Sequence, residues 1–300
     1  MNIHTVLDLI AWASGALVGY TVRRRYLAAS TASGFRLSQH PVYVIAVALG
    51  AGIGALLAGG FNMALAGLPP LGHSIAGALA GGIVGAEGYK LVRGIKGSTG
   101  LVFVAPLATG IAIGRWGCFL SGLPDYTYGI PTSLPWGVDF GEGIPRHPVQ
   151  LYESFAMLVF LIWFLLALKR NAERPVDPSP QPSPSRGEGV RPSAGHSVPS
   201  PLEGEGYGGL ARPKVELSRS WVRGRSELST FIHRSGFHLM VGFYALQRFF
   251  WEFLKPYPEV LGPFNMFHFL MIALFAYSLL MLWGEWRRHE QASGQQVHSA

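Results

Sequence analysis

Long apolar stretches alternate with short polar ones along most of the chain. An α-helix needs about 20 mostly apolar residues to cross a membrane, and seven stretches approach or reach that length. They are Leu7–Val22, Val42–Phe61, Ser74–Lys90, Gly100–Leu120, Leu151–Leu168, Phe237–Leu254 and Phe264–Trp283. The pattern predicts an all-α, polytopic membrane protein with about seven transmembrane helices. The second and third stretches are rich in Gly and Ala, which favours close packing of two helices.

The polar stretches divide the chain into a membrane core and three smaller parts. Residues 1–170 would supply helices 1 to 5, with a small outer-face cap formed by the loop at 121–150, and residues 236–285 would supply helices 6 and 7. Residues 171–235 include a Pro/Ser/Gly-rich stretch with a crude repeat at Pro182–Gly189 and Pro199–Gly206. Such a composition cannot bury a core. We therefore predict a disordered cytoplasmic insertion there, and a cytoplasmic tail at residues 286–300. Whether Lys214–Arg234 forms a surface helix stays open at this point.

Basic residues lie beside alternate ends of the predicted spans. Arg23–Arg25, Lys90–Lys96, Lys169–Arg170 and Arg287–Arg288 share one side if seven spans alternate, and the positive-inside rule makes that side the cytoplasm. The N-terminus is then expected outside and the C-terminus in the cytoplasm. The net charge of +7 does not indicate nucleic-acid binding, because these charges flank apolar spans instead of forming one basic face.

Composition narrows the class further. The chain is 49% hydrophobic and 14% charged, with a mean hydropathy of +0.27, which excludes an ordinary soluble domain. Its single cysteine, Cys118, cannot form an internal disulfide and predicts no cysteine-based metal site. A small buried thiol is the commoner role for such a residue. The alternative is a catalytic thiolate activated by Arg115, which lies three residues earlier on the same helix side.

Two arginines in apolar surroundings are the main candidates for chemistry. Arg115 follows an uninterrupted uncharged run in the fourth span. Arg248 lies in the sixth, where Tyr244, Arg248 and Glu252 follow one another at i, i+4 spacing on one helix face. Ionisable residues inside a membrane usually mark functional sites, and a guanidinium can grip a phosphodiester through two N–H groups. The alternatives are snorkelling of Arg115 to the interface and a purely structural pair between Arg248 and Glu252.

His147 lies between Arg115 and Arg248 in the sequence, in the motif RHPVQLYE at Arg146–Glu153. His147 titrates near neutral pH and can move a proton as a general acid or base. The alternative is a loop histidine that bonds only to the backbone.

Taken together, these motifs resemble the prolipoprotein diacylglyceryl transferase family. GRWGCFLSG, TSLPWGVDF, RHPVQLYE and YALQRFFWEFLK occur in the family's order, with a specific match over Gly114–Glu153 and a weaker one over Phe237–Pro256. The resemblance implies an enzyme of the bacterial plasma membrane that moves the diacylglyceryl group of phosphatidylglycerol to the lipobox cysteine thiol of a preprolipoprotein. A thioether forms, glycerol phosphate leaves, and no organic cofactor is needed.

The resemblance also assigns roles to residues. Arg115 and Arg248 match the family's phosphate-side arginines, and Tyr244 and Glu252 match residues that place Arg248. The predicted catalytic residues are Arg115, His147, Arg248 and Glu252, and the predicted substrate-binding residues are Arg115, Gly129, Arg146, Tyr244 and Arg248. No metal ligand is expected. The alternatives are a paralogue that uses the same phospholipid site for another acceptor, and a non-catalytic phospholipid-binding membrane protein.

The chain departs from the family pattern at several positions. The departures are Cys118 and Ser121 in place of two asparagines, Leu123 in place of a glutamate, Ala76 in place of a histidine and Lys255 in place of an arginine. The histidine missing at Ala76 is often proposed as the base in this family, which leaves His73 or His147 as candidates for that role here.

Overall fold

The structure, a computed structural model, describes residues 3–27, 37–172 and 214–298 and is mainly α-helical. Its seven α-helices are α1 (Ile3–Val22), α2 (Pro41–Leu65), α3 (Ile75–Arg93), α4 (Leu101–Ser121), α5 (Val149–Ala172), α6 (Lys214–Glu252) and α7 (Met266–His298). The described part also contains four short strands, β1 (Val138–Asp139), β2 (Pro145–Arg146), β3 (Glu259–Leu261) and β4 (Phe264–Asn265), and 3-10 turns at Leu37–Gln39 and Leu123–Asp125. The predicted all-α architecture is confirmed.

Five of the helices are long and apolar enough to cross a membrane. The five segments are Ile3–Leu27, which is α1 with a π-helical extension, Pro41–Leu65, Leu101–Ser121, Val149–Arg170 and Met266–Arg288. Helix α3 is shorter, and glycines and charges dilute its apolar character. Helix α6 joins a polar first half to an apolar second half. Membrane crossing by α3 and α6 therefore stays a prediction.

Helix α6 begins earlier than the sequence analysis predicted. Its backbone is helical from Lys214, so residues 214–235 of the predicted insertion belong to a helix. That stretch contains no proline up to Glu252, whereas Pro213 lies immediately before it, and proline is disfavoured inside helices but tolerated at their start. The rest of the predicted insertion, residues 173–213, lies outside the described residues. Most of the predicted tail continues α7, which reaches His298.

The helices pack largely as antiparallel neighbours. Helix α1 lies against α4, α2 against α3 and α6 against α7, while α4 also contacts α5 and α6. The core lies between α4, α5 and α6, where Val104, Met157, Phe164 and Met240 are fully buried.

Glycines bring α2 and α3 into direct backbone contact. A Cβ placed on Gly81 would lie 2.0 Å from the carbonyl oxygen of Gly50, and one on Gly54 would lie 2.3 Å from the carbonyl oxygen of Gly77. No side chain fits into such spacing, so only glycine allows this approach. The predicted packing role of these Gly-rich stretches is confirmed.

Residues 121–150 form a small cap at the end of α4, α5 and α6. Strands β1 and β2 pair antiparallel in it, and the Ile130 N–H donates to the Leu254 carbonyl at 2.7 Å, which ties the cap to the end of α6. The Asp139 carboxylate accepts the N–H groups of Gly141 and Gly143, both of which have positive φ. These N–H groups, that of Gly141 first, lower the pKa of Asp139 and stabilise the turn while the carboxylate is ionised.

Candidate functional site

A buried carboxylate on α5 collects three cations from three parts of the chain. Glu153 lies in the second turn of α5 and is fully buried. Arg115 Nε from α4 lies 2.5 Å from its Oε2, Lys255 Nζ from the segment after α6 lies 2.8 Å from its Oε1, and Arg248 Nη1 from α6 pairs with the same oxygen. The ends of α4, α5 and α6 are therefore joined through one side chain.

A second buried carboxylate, Glu252, completes the cluster. Its Oε1 lies 2.5 Å from Arg248 Nε and 3.8 Å from Lys255 Nζ. Asn265 Nδ2 lies 3.3 Å from its Oε2, while Asn265 Oδ1 accepts the N–H of Phe267 at the start of α7. The predicted Arg248–Glu252 pair at i, i+4 spacing is confirmed. Through Asn265, Glu252 also links α6 to the start of α7.

The charges in this cluster do not cancel. Arg115, Arg248 and Lys255 supply three cations against the carboxylates of Glu153 and Glu252, which leaves a formal net charge of +1. All five residues are at most 5% exposed. An uncompensated charge in a low-dielectric interior is costly, and a bound anion relieves that cost.

Two polar side chains beside the cluster have unused hydrogen-bonding atoms. Tyr244 lies one turn before Arg248 on the same face of α6 and is fully buried, and its hydroxyl has no hydrogen-bond partner in the described part of the chain. Gln150 lies one turn before Glu153 on α5, is 1% exposed, and has no partner for its amide oxygen or nitrogen among those residues. Buried polar atoms are normally satisfied, so both groups are available to a polar ligand.

The other predicted site residues lie in the cap. Arg146 pairs with Glu142 and directs Nη1 to the Gly129 carbonyl at 3.4 Å. The Gly129 N–H donates to the His147 carbonyl at 3.0 Å, and a Cβ on Gly129 would lie 2.5 Å from that oxygen. The His147 ring contacts the Tyr152 hydroxyl at 3.3 Å. Among the described residues no hydrogen bond or ion pair joins these three to the cluster, and their roles stay predictions.

Two members of the cluster were not among the predicted site residues. Glu153 is the last residue of RHPVQLYE, where the sequence suggests only a charge near a helix start. Lys255 follows an apolar span, where the sequence suggests a marker of its end, although it also stands at the family's late arginine. Burial, with the nearby Arg248, lowers the pKa of Lys255 to about 8. Sequence spacing alone does not show that the side chains of Glu153 and Lys255 meet.

Apolar helices and a buried cationic cluster at one end of them define a multi-pass membrane protein with a polar site among its helix ends. A family model described as prolipoprotein diacylglyceryl transferase matches residues 2–178, more than half of the chain. The chain belongs to this family. Helices α6 and α7 lie beyond the matched residues.

Curated bacterial relatives carry the name phosphatidylglycerol–prolipoprotein diacylglyceryl transferase. The protein of Solidesulfovibrio magneticus is 42% identical over 86 residues, 26% of this chain and 31% of its own length. That of Bordetella parapertussis is 37% identical over 103 residues, 31% of this chain and 38% of its own length. That of Geobacter sulfurreducens is 45% identical over 74 residues, 24% of this chain and 27% of its own length. The chain thus matches less than two fifths of the length of these relatives. No solved structure matches it.

Proposed function

We propose that the protein transfers the diacylglyceryl group of phosphatidylglycerol to the lipobox cysteine thiol of preprolipoproteins. The observation that carries this proposal is the buried cluster with a net charge of +1, built by Arg115, Arg248, Lys255, Glu153 and Glu252. A phosphodiester headgroup carries a single negative charge and would neutralise it. The family of the chain and the names of its relatives support the same donor and acceptor.

The cluster suits the chemistry of this transfer. The acceptor thiolate attacks the glycerol carbon that bears the phosphate, a C–S bond forms, and the C–O bond breaks with its electron pair left on the phosphate. Negative charge on the departing glycerol phosphate grows as the bond breaks. Fixed N–H donors around that phosphate then stabilise the transition state more than the ground state. In this proposal Arg115 and Arg248 are those donors, and Glu153 and Glu252 hold their guanidinium groups in place.

The same arrangement favours one orientation in the membrane. The cluster, the cap and the β3–β4 hairpin lie at one end of the helices, while Arg23–Arg25 and Lys169–Arg170 lie at the other. The positive-inside rule assigns the basic end to the cytoplasm. We therefore place the site at the outer face of the bacterial plasma membrane, with the N-terminus outside and the C-terminus in the cytoplasm.

The test uses purified full-length protein in detergent with phosphatidylglycerol and a lipobox peptide that contains one cysteine. Mass spectrometry should find the peptide heavier by one diacylglyceryl group, with the modification on the cysteine. Arg115→Ala should lower the rate by about 100-fold or more, the usual effect of removing one transition-state donor. The matched control is Arg93→Ala, which removes an exposed arginine at the C-terminal end of α3 and should leave the rate unchanged.

Three results would count against the proposal. A normal rate for Arg115→Ala would show that the cluster does not bind the reacting phosphate. Bound phosphatidylglycerol without any peptide adduct would favour a paralogue with another acceptor or a phospholipid-binding protein without chemistry. Absence of phospholipid binding would remove the basis of all three interpretations.

A further inference from the structure

Three side chains that are far apart in the sequence meet beside Arg115. They are His4 on α1, Cys118 on α4 and Asp125 in the 3-10 turn that follows α4. His4 Nε2 lies 3.2 Å from Asp125 Oδ1 and 3.8 Å from Cys118 Sγ. One potential ligand atom from each residue lies within 4.8 Å of the other two. A nitrogen, a sulfur and an oxygen therefore lie in one small cluster.

The packing of α1 on α4 creates this meeting point. The two helices are antiparallel neighbours, so the start of α1 reaches the end of α4. Gly117 lets them approach, because a Cβ there would already lie 3.3 Å from Leu7 Cβ. The place of His4 is thus set by helix contact and not by a loop.

Neighbouring groups orient two of the three side chains. His4 Nδ1 lies 2.8 Å from Asp8 Oδ2, so Asp8 would accept the Nδ1 proton and leave Nε2 to an ion bound between Cys118 and Asp125. Metal-bound histidines almost always have such a partner on the second ring nitrogen. The Thr127 hydroxyl donates to Asp125 Oδ2, which leaves Oδ1 free to face the same point.

We infer that His4, Cys118 and Asp125 bind a divalent transition-metal ion, with Zn²⁺ as the ion that their chemistry fits best. In a tetrahedral zinc site, bond lengths near 2.0–2.3 Å place nitrogen and oxygen ligands about 3.3 Å apart, and nitrogen and sulfur ligands about 3.6 Å apart. The observed separations are 3.2 and 3.8 Å. The third pair, Cys118 and Asp125, lies within 4.8 Å, so these two ligands would approach each other by up to about 1 Å to bind the ion.

A catalytic Cys–His pair is the other arrangement that these atoms suggest. In such a pair the thiol faces one ring nitrogen and the carboxylate orients the other. Here Asp8 already takes the second role, and the additional carboxylate of Asp125 lies on the Nε2 side together with the thiol. A Cys–His pair needs no second carboxylate at that nitrogen, whereas a metal site uses Asp125 as its third ligand.

The charges also fit a divalent ion. A Cys118 thiolate and the Asp125 carboxylate together balance two positive charges. Arg115 Nη1 lies 3.8 Å from Cys118 Sγ, and a nearby cation favours the thiolate that a metal requires. The site therefore adds no net charge beside Arg115.

Three protein ligands leave the fourth tetrahedral position open, as in catalytic zinc sites. If the proposed function holds, this position would take the sulfur of the incoming lipobox cysteine. Coordination would release the thiol proton to solvent and hold the thiolate near Arg115, which lies 3.8 Å from Cys118. No oxidant or reductant is involved. The ion would then activate the thiol, the role that the family assigns to a histidine at the position of Ala76.

Metal binding is tested on the full-length protein in detergent, stripped with a chelator and then given Zn²⁺ or Co²⁺ alone. We expect one ion per chain, and a sulfur-to-cobalt charge-transfer absorption band in the Co²⁺ form. His4→Gln, Cys118→Ser and Asp125→Asn should each weaken binding at least tenfold, and Cys118→Ser should remove the band. Glu259→Gln, an exposed carboxylate on β3, is the control and should bind normally. Absence of bound ion in the unmodified chain, or an unchanged band in Cys118→Ser, would overturn the site.

The role of the ion is tested separately from the proposed function. Transfer to the lipobox peptide that stops on chelation and returns with Zn²⁺ would support coordination of the acceptor thiol. Equal transfer with and without the ion would refute that role and leave both the binding site and the transferase proposal standing. An ion-loaded protein that transfers nothing would refute the transferase proposal and leave the binding site intact.

Discussion

Replacement of Glu153 by Gln tests whether the cluster depends on one buried carboxylate. Glu153 neutralises part of the charge of Arg115, Arg248 and Lys255 at contact distance. The substitution keeps the shape of the side chain but removes its charge, so the net charge of the cluster rises from +1 to +2. Removal of one partner from a buried ion pair typically costs about 3–5 kcal/mol, because the remaining charge is left without compensation.

The matched control is Glu142→Gln in the cap. Glu142 also pairs with an arginine, Arg146, but this pair is partly exposed to solvent. Pairs of this kind contribute about 0–1 kcal/mol. Both variants change one carboxylate to an amide, so a difference between them reports the burial of the pair and not the chemistry of the substitution.

A second substitution makes the test sharper. Lys255→Met removes one of the cations that Glu153 holds, so Glu153→Gln combined with Lys255→Met returns the net charge to +1. The double variant should therefore be more stable than the sum of the two single effects predicts, because residues in one charge network are coupled. The measurement is the free energy of unfolding in detergent titrated with sodium dodecyl sulfate, followed by the far-ultraviolet circular dichroism of the helices.

Two outcomes would refute this reasoning. If Glu153→Gln lowers the free energy of unfolding no more than Glu142→Gln does, Glu153 does not balance the buried positive charge of the cluster. If the two single changes in the free energy of unfolding add up to that of the double variant, Glu153 and Lys255 are not energetically coupled.

Two further predictions concern helix packing and pH. Gly81→Ala should destabilise the protein by about 1–3 kcal/mol, because its Cβ would meet the Gly50 carbonyl oxygen at 2.0 Å. The control Gly52→Ala, whose Cβ meets nothing within 4 Å, should be neutral or slightly stabilising. Thermal unfolding in detergent compares the two variants, and equal effects would contradict the described α2–α3 contact. The affinity for short-chain phosphatidylglycerol should fall as the pH rises from 7 to 9, because burial lowers the pKa of Lys255 to about 8 and loss of its proton takes the cluster from +1 to 0. Lys255→Arg should flatten this dependence in a binding titration, and a wild-type affinity that does not change with pH would contradict the role of Lys255 in charge balance.

Local patterns determined the architecture well. The lengths of the apolar stretches alone indicated where the seven described helices lie, since each predicted span falls largely within one of them. The i, i+4 spacing of Arg248 and Glu252 was enough to predict their ion pair, because one turn of helix places such side chains together. The sequence left the start of α6 open, because the polar residues from Lys214 onward look unlike a span although they contain no helix-breaking proline.

Contacts between distant segments could not be predicted in this way. The motif around Arg115 indicated that the arginine binds an anion, but only the tertiary structure showed that Glu153 brings it together with Arg248 and Lys255. Residues in one turn of a helix meet because the backbone fixes their spacing, and the sequence reports that spacing directly. His4 and Cys118 meet only because α1 packs antiparallel on α4. That packing depends on contacts between distant residues, such as Gly15 and Gly19 with Pro106 and Gly117 with Leu7, which local spacing does not report.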